Sequence, residues 1–225
     1  MNASRSQPLS SGMVMLLAAA AGIIVANLYY AQPLVGPIGA ALGMPPAAAG
    51  LIVTLTQIGY TLGLLFIVPL GDLLENRRLI VTGLLATSAA LLVAATASSA
   101  WLFLLAALAI GLGAVVAQVL VPFAAHLAPE ATRGQTVGKV VSGLLLGIMV
   151  ARPVASVLAG AGGWQAVFGI AAALVAILAV VLHIKLPQRH PASTQPYARL
   201  IGSLWPLLAS TVVLRRRRWP ARTLA

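Results

Sequence analysis

Long apolar runs separated by short polar links make up most of the chain. Six runs are legible, at about residues 13–34, 48–70, 79–97, 101–125, 140–160 and 164–183. Each comes close to the roughly 20 residues that carry a helix across a 30 Å hydrocarbon core. None alternates polar with apolar positions as a barrel strand does. In lipid a chain satisfies its backbone either within helices or in a closed barrel. The pattern therefore predicts an all-α, polytopic membrane protein with six transmembrane helices.

The links alternate in charge. Residues 35–46, 98–100 and 161–163 carry no charged side chain. Asp72, Glu75, Arg77 and Arg78 sit between the second and third runs, and Glu130, Arg133 and Lys139 lie between the fourth and fifth or flank them. Arg5 precedes the first run, while Lys185, Arg189, Arg199 and the arginines 215–218 follow the last. Positive loops stay on the cytoplasmic side. The expected layout is a cytoplasmic N-terminus (1–12), a six-helix bundle (13–184) and a cytoplasmic basic linker or tail (185–225), in the inner (plasma) membrane. A cleaved signal peptide fits poorly, because Arg5 alone supplies its basic region and the apolar run continues to Tyr29 and Tyr30. The two tyrosines are expected at headgroup level or in a cavity lining.

Small residues recur at four-residue spacing: Ala18, Gly22 and Ala26; Gly59 and Gly63; Gly143, Gly147, Ala151 and Ala155. That spacing lines them along one helix face, where they form packing seams that let backbones approach closely.

Composition narrows the function classes. Hydrophobic residues make up 60% and charged residues 8%, with mean hydropathy +1.01; a soluble domain carries about 25% charged residues. The net charge of +11 lies in links and tail, so phospholipid headgroups, and not nucleic acid, are the expected partner. The run 215–218 either binds anionic lipid, at about 1 kcal/mol per basic residue, or is a solvated linker. There is no cysteine, and three histidines do not readily build a zinc site. His126, His183 and His190 are expected at the interface. The three acidic residues all lie in links, which leaves no acid–base pair, and no Gly-x-x-x-x-Gly-Lys loop is present. No enzyme activity and no cofactor are expected.

The segment Pro69-Leu70-Gly71-Asp72-Leu73-Leu74-Glu75-Asn76-Arg77-Arg78 resembles the signature loop of the major facilitator superfamily, Gly-x-Leu-Ala-Asp-Arg-x-Gly-Arg-Arg-Lys. Gly71, Asp72, Arg77 and Arg78 carry the match. Val68, Leu73 and Glu75 stand where Gly, a basic residue and the second Gly are usual. In the fifth run Ser142-Gly143 through Gly147 to Ala151-Arg152-Pro153 resembles the antiporter signature Gly-x-x-x-Gly-Pro, with Arg152 as a departure. Gly111-Leu112-Gly113-Ala114 resembles the end of Arg-x-x-Gln-Gly-x-Gly-Ala, whose Arg falls on Ala107. The run from Asn27 to Leu34, the segment from Pro129 to Gly134, and Gly163-Trp164-Gln165 with Phe168 resemble the sugar- and drug-efflux permease branch. The resemblance covers roughly residues 10–215.

It implies one half of a major facilitator superfamily fold, built of two inverted three-helix repeats. It further implies secondary-active, proton-coupled efflux of a small molecule by alternating access against a second six-helix half, or against a second copy in a homodimer. The competing expectation is an inactive truncated fragment, or a non-transporting membrane or assembly protein. The linker that stops soon after the arginines 215–218 reads as a frameshift or early stop.

Arg152 is the leading substrate-pathway candidate. At 1.5 Å per residue it lies about 20 Å from Lys139 and about 12 Å from Gly160. A charge at such depth costs roughly 2.5–3.5 kcal/mol on insertion scales, so it should face a cavity or a partner unless it snorkels to the headgroups. Pro153 beside it leaves the Met149 carbonyl without its helical donor. Asn27, Gln57, Gln118 and Tyr30 are further pathway candidates, with Gln32, Thr54 and Thr56 behind them. Each either meets substrate or glues helices at about 0.6–2 kcal/mol. Gly71, Asp72, Arg77 and Arg78 are expected to act as a conformational latch, with Gly71 permitting a tight turn and Asp72 accepting helix-end amides or an Arg.

Overall fold

The computed structural model describes residues 10–188, which are helical and contain no strand. Arg5, Arg189, His190, Arg199 and the arginines 215–218 lie outside the described residues, as does most of the expected linker.

The first helix, α1, runs Ser11–Ala26. It starts where the Ser10 hydroxyl accepts the Met13 amide at 3.3 Å, a cap worth about 1 kcal/mol. A tight stretch follows, ending in the 3₁₀ turn Gln32–Leu34 and the short α2, Val35–Ala41. Next come α3 (Pro46–Ala49), α4 (Leu51–Phe66) and the 3₁₀ turn Val68–Asp72. Then α5 spans Asn76–Ala95, α6 Ala100–Ala114, α7 Val116–Leu127 and α8 Arg133–Lys185. Ser99 caps α6 as Ser10 caps α1, by accepting the Leu102 amide.

Four helical stretches are long and apolar enough to cross a membrane: 46–72, 76–95, 100–127 and 130–185. The first apolar run differs from the expectation of one continuous helix, since only Ser11–Ala26 is α-helical and it is shorter than a full span. The fifth and sixth runs are joined in α8, whose helical conformation fails at Gly162 (φ −142°, ψ 16°) and Gly163 (φ 76°, ψ 170°). The Gly163 conformation is essentially restricted to glycine. It divides α8 into arms at 133–161 and 164–185. Pro153 lies inside the first arm without non-helical angles of its own.

Two seams hold the bundle. In one, α1 lies against the first arm of α8: a Cβ on Gly22 would stand 2.6 Å from the Gly143 carbonyl, and one on Gly147 would strike the Gly22 backbone. In the other, α4 lies against α6: a Cβ on Gly59 would strike the Leu108 carbonyl, and one on Gly111 the Thr56 carbonyl. Only side chains that end at hydrogen allow this approach, and in lipid such contact is a main source of helix association. The second arm packs on α5, where the Ser88 hydroxyl donates to the Ala172 carbonyl at 2.8 Å. Phe103, Trp164 and Phe168 form an edge-to-face cluster with centroids 5.4–6.3 Å apart. It pins the start of α6 to the start of the second arm, each pair adding about 0.5–1.5 kcal/mol.

The seams define the packing order. Gly147→Val would push a branched side chain into the Gly22 backbone and is expected to cost about 1–3 kcal/mol. Gly169→Ala, where a Cβ would meet nothing within 4 Å, is expected to change stability by less than about 0.5 kcal/mol. Thermal unfolding of the two variants in detergent checks the contrast.

Candidate substrate pathway

At the end of α1 the backbone changes its bonding. The amides of Asn27, Leu28 and Tyr29 bond to the carbonyls of Ile24, Val25 and Ala26, three residues back. This 3₁₀ pattern releases the Ile23 carbonyl from its α-helical donor. The Asn27 side chain replaces it: Nδ2 donates to the carbonyls of Ile23 and Ile24, both at 3.0 Å. Asn27 is 2% exposed, and its Oδ1 is buried with no partner among the described residues. Its amide nitrogen is thus committed to its own helix, while its oxygen is left with the desolvation cost of an unmade bond, about 1–3 kcal/mol.

The tightened stretch carries Tyr29, Tyr30 and Gln32 toward the first arm of α8. Arg152 Nε donates to Gln32 Oε1 at 2.7 Å, and its guanidinium carbon lies 5.4 Å from the centre of the Tyr29 ring. That is within cation–π range. Arg152 itself is exposed on the surface of the bundle. Tyr30, half-buried, lines a groove of about 160 Å³ between α1 and α8 with Ile23, Ala26, Val150, Ala151 and Val154. Pro153 follows Arg152 on the same exposed stretch, while Gly147 lines the groove and Gly143 lies in the seam against α1.

Gln118 and Gln57 lie elsewhere. Gln118 Nε2 donates to the Tyr60 hydroxyl at 2.8 Å, tying α7 to α4. Gln57 is half-buried beside an open depression of about 440 Å³ that also involves Val53, Thr54, Ile58, Thr61 and Leu62, all on α4. Thr54 and Thr56 donate to the carbonyls of Gly50 and Ile52 in their own helix, at 3.1 and 2.8 Å. Among the described residues no hydrogen bond joins Arg152–Gln32 to Gln118–Tyr60. Tyr60 was not singled out by sequence reasoning; a lone phenolic residue in an apolar run, with an amide in another run, was the signal available.

The charged loop leads into the start of α5. Gly71 does not need glycine's left-handed freedom: among described glycines, positive φ occurs at Gly43 and Gly163. A Cβ on Gly71 would make an ordinary contact with Val119 at 3.4 Å. The side chain that caps α5 is Glu75, whose Oε2 accepts the Arg78 amide at 3.2 Å. The accompanying Arg78–Glu75 ion pair, at 3.6 Å with Arg78 83% exposed, adds little. The Asn76 side-chain amide faces the carbonyls of Gly71 and Leu74; the nitrogen is therefore assigned to that side, where it donates to them at 2.6 and 3.1 Å. Arg77 reaches across to the Leu186 carbonyl at 3.3 Å, fastening the loop to the end of α8. Asp72 is exposed.

An apolar helical bundle with backbone-close seams and a few polar pairs between helices is the architecture of a polytopic helical membrane protein. The chain belongs to the Major Facilitator Superfamily, whose family model matches residues 11–225. It is 44% identical over 209 residues to "Uncharacterized transporter YgaY" of Escherichia coli O157:H7, a match covering 93% of this chain and 53% of the relative. It is 36% identical over 172 residues to "Probable transporter SCO4007" of Streptomyces coelicolor, covering 76% of this chain and 40% of that one. "Uncharacterized MFS-type transporter YbcL" of Bacillus subtilis is 28% identical over 176 residues, covering 77% and 45%. The chain spans about half the length of the curated relatives it matches. The family is one of membrane transporters.

Asn27 carries the local consequence. Asn27→Ala removes the two bonds that answer the Ile23 and Ile24 carbonyls and is expected to cost about 1–3 kcal/mol. Hydrogen exchange of the amides from Asn27 to Leu34 should rise in the variant; unchanged protection there would refute the capping role.

Proposed function

We propose that this chain forms one six-helix half of a secondary-active transporter that expels a small, sugar- or drug-like molecule by alternating access, in exchange for protons. In this reading both termini are cytoplasmic, the membrane is the inner membrane, and α8 supplies two crossings. The observation that carries the reading is a pair of matched local interruptions of α-helical bonding, at both of which the backbone keeps right-handed helical angles. Helix α1 loses α-helical bonding after 16 residues and α6 ends after 15, at Val115. The two hold equivalent places in the triads α1/α4/α5 and α6–α7/first arm/second arm. The seams follow the same exchange, since α1 on the first arm corresponds to α6 on α4. Such discontinuous, repeat-related helices are where transporters place substrate and coupling sites.

Arg152, Asn27, Gln57, Gln118 and Tyr30 are the residues proposed to border the pathway. Asn27 acts by shaping the break, with its carbonyl oxygen free to accept a donor when the break opens. The loop of Gly71, Asp72, Arg77 and Arg78 is the proposed latch, working through the Arg77 tie to the end of α8. A rocking half needs a body to rock against. That body is a second six-helix bundle, either further polypeptide of the relatives' length or a second copy of this one.

Accumulation of a panel of fluorescent drugs and labelled sugars in an efflux-deficient bacterial host tests the reading. The chain, expressed with a second six-helix half, is expected to lower accumulation of at least one compound several-fold, and a protonophore should restore it. Unchanged accumulation across the panel would sink the transport reading. Retained efflux under the protonophore would sink the proton coupling alone. Single-cysteine cross-linking in native membranes reports whether the second body is a copy.

A further inference from the structure

Among the described residues no carboxylate pairs with Arg152. The sequence contains three acidic residues, Asp72, Glu75 and Glu130. All three lie in the charged links, at the end of the bundle where α8 begins at Arg133. Between Arg133 and Arg152 the first arm rises about 28 Å at 1.5 Å per residue. Among the described residues the guanidinium has no carboxylate partner, and the described fold leaves its counter-charge to be supplied by something else.

The protein contacts leave a defined part of the guanidinium open. Gln32 takes the Nε hydrogen at 2.7 Å and the Tyr29 ring lies 5.4 Å from the guanidinium carbon. The remaining donors are on Nη1 and Nη2, which have no hydrogen-bond partner among the described residues. Their end-on edge presents two parallel N–H groups, the geometry that meets both oxygens of a carboxylate or two of a phosphate. With Nε clamped, part of the ordering cost of such a ligand contact is already met before binding. Directly beside Arg152 in sequence, Val150, Ala151 and Val154 line the groove of about 160 Å³, facing Ile23, Ala26 and Tyr30 of the α1 segment. The groove is smaller than the roughly 300 Å³ of a complete small-molecule site. It has the size of one wall of a site that a second body closes.

We infer that Arg152, held by Gln32 and Tyr29, is the recognition point for an oxyanion, carboxylate or phosphate, on a small molecule whose apolar part lies in the groove between α1 and α8. This deepens the transport reading and rests on its placing Arg152 on the substrate pathway. Gln32 and Tyr29 are positioning residues, which fix the direction of the open edge. A lipid headgroup offers the same phosphate chemistry as a soluble organic anion, and the test separates the two.

The experiment compares benzoate with benzamide, two probes of one shape that differ in charge. Binding is titrated by thermal unfolding of the full chain in phosphatidylcholine nanodiscs, then in discs containing phosphatidylglycerol. Benzoate is expected to bind at least tenfold more tightly than benzamide in both. Arg152→Gln removes the cation and Gln32→Glu supplies an internal carboxylate; each should erase the preference. Arg152→Lys should keep part of it. Equal binding of the two probes to the unaltered chain, or a preference that survives both variants, overturns the assignment. A preference lost only in phosphatidylglycerol assigns Arg152 to a headgroup and overturns the substrate role. Efflux that needs Arg152 while the probes bind equally would overturn the anion assignment and leave the transport reading standing. A benzoate preference without efflux of any compound would support the anion site and remove the transport reading.

Discussion

The bundle depends on backbone-to-backbone contact between helices. In water, apolar side chains drive helices together; in lipid that drive is absent, because the surrounding chains are as apolar as leucine. What remains is close packing, and the glycines of the two seams supply it. Gly22, Gly143 and Gly147 bring α1 onto the first arm of α8, and Gly59 and Gly111 bring α4 onto α6. Large side chains point the other way: Leu145, Leu146 and Met149 cover the outer surface of the first arm, each more than half exposed. A residue with a side chain at the seam positions would separate the helices and with them every polar pair that bridges them.

Those polar pairs follow from a second constraint of the same solvent, that each backbone or side-chain polar group needs a partner inside the protein. The threonines donate to carbonyls of their own helix, as Thr56 and Thr87 do to Ile52 and Gly83. Asn27 does the same where α1 tightens. Gln118 finds Tyr60 across the α7–α4 boundary, and Arg152 finds Gln32. At Asn27 a departure from the helix falls where a side chain stands ready, and at Gly163 where a glycine allows the turn.

At the charged end the loop is held by a few side-chain contacts. Its capping carboxylate is Glu75, Asn76 closes the preceding turn, and Arg77 binds the far end of α8. The loop thereby couples the third helix of one triad to the last helix of the other. Motion of either arm of α8 relative to α5 would be felt at this contact, which gives the latch proposal its physical content.

The sequence by itself determined the solvent, the all-helical class and the family. Continuous apolar runs and scarce charges leave a helical membrane protein as the solution, and the loop from Pro69 to Arg78 matches its superfamily despite Glu75. Small residues spaced by four were legible as seams, because helical periodicity puts them on one face. Tertiary structure alone decided which face meets which helix. It decided that the first run breaks at Asn27, since the 3₁₀ bonding there is answered by a side chain whose role no spacing reveals. It paired Gln118 with an unsuspected Tyr60, and it made Glu75, a mismatch to the motif, the cap of α5. Arg152 stood out in the sequence as a buried-depth charge. Its partner Gln32 lies 120 residues away, and contacts across that separation depend on how helices dock, which local pattern does not encode.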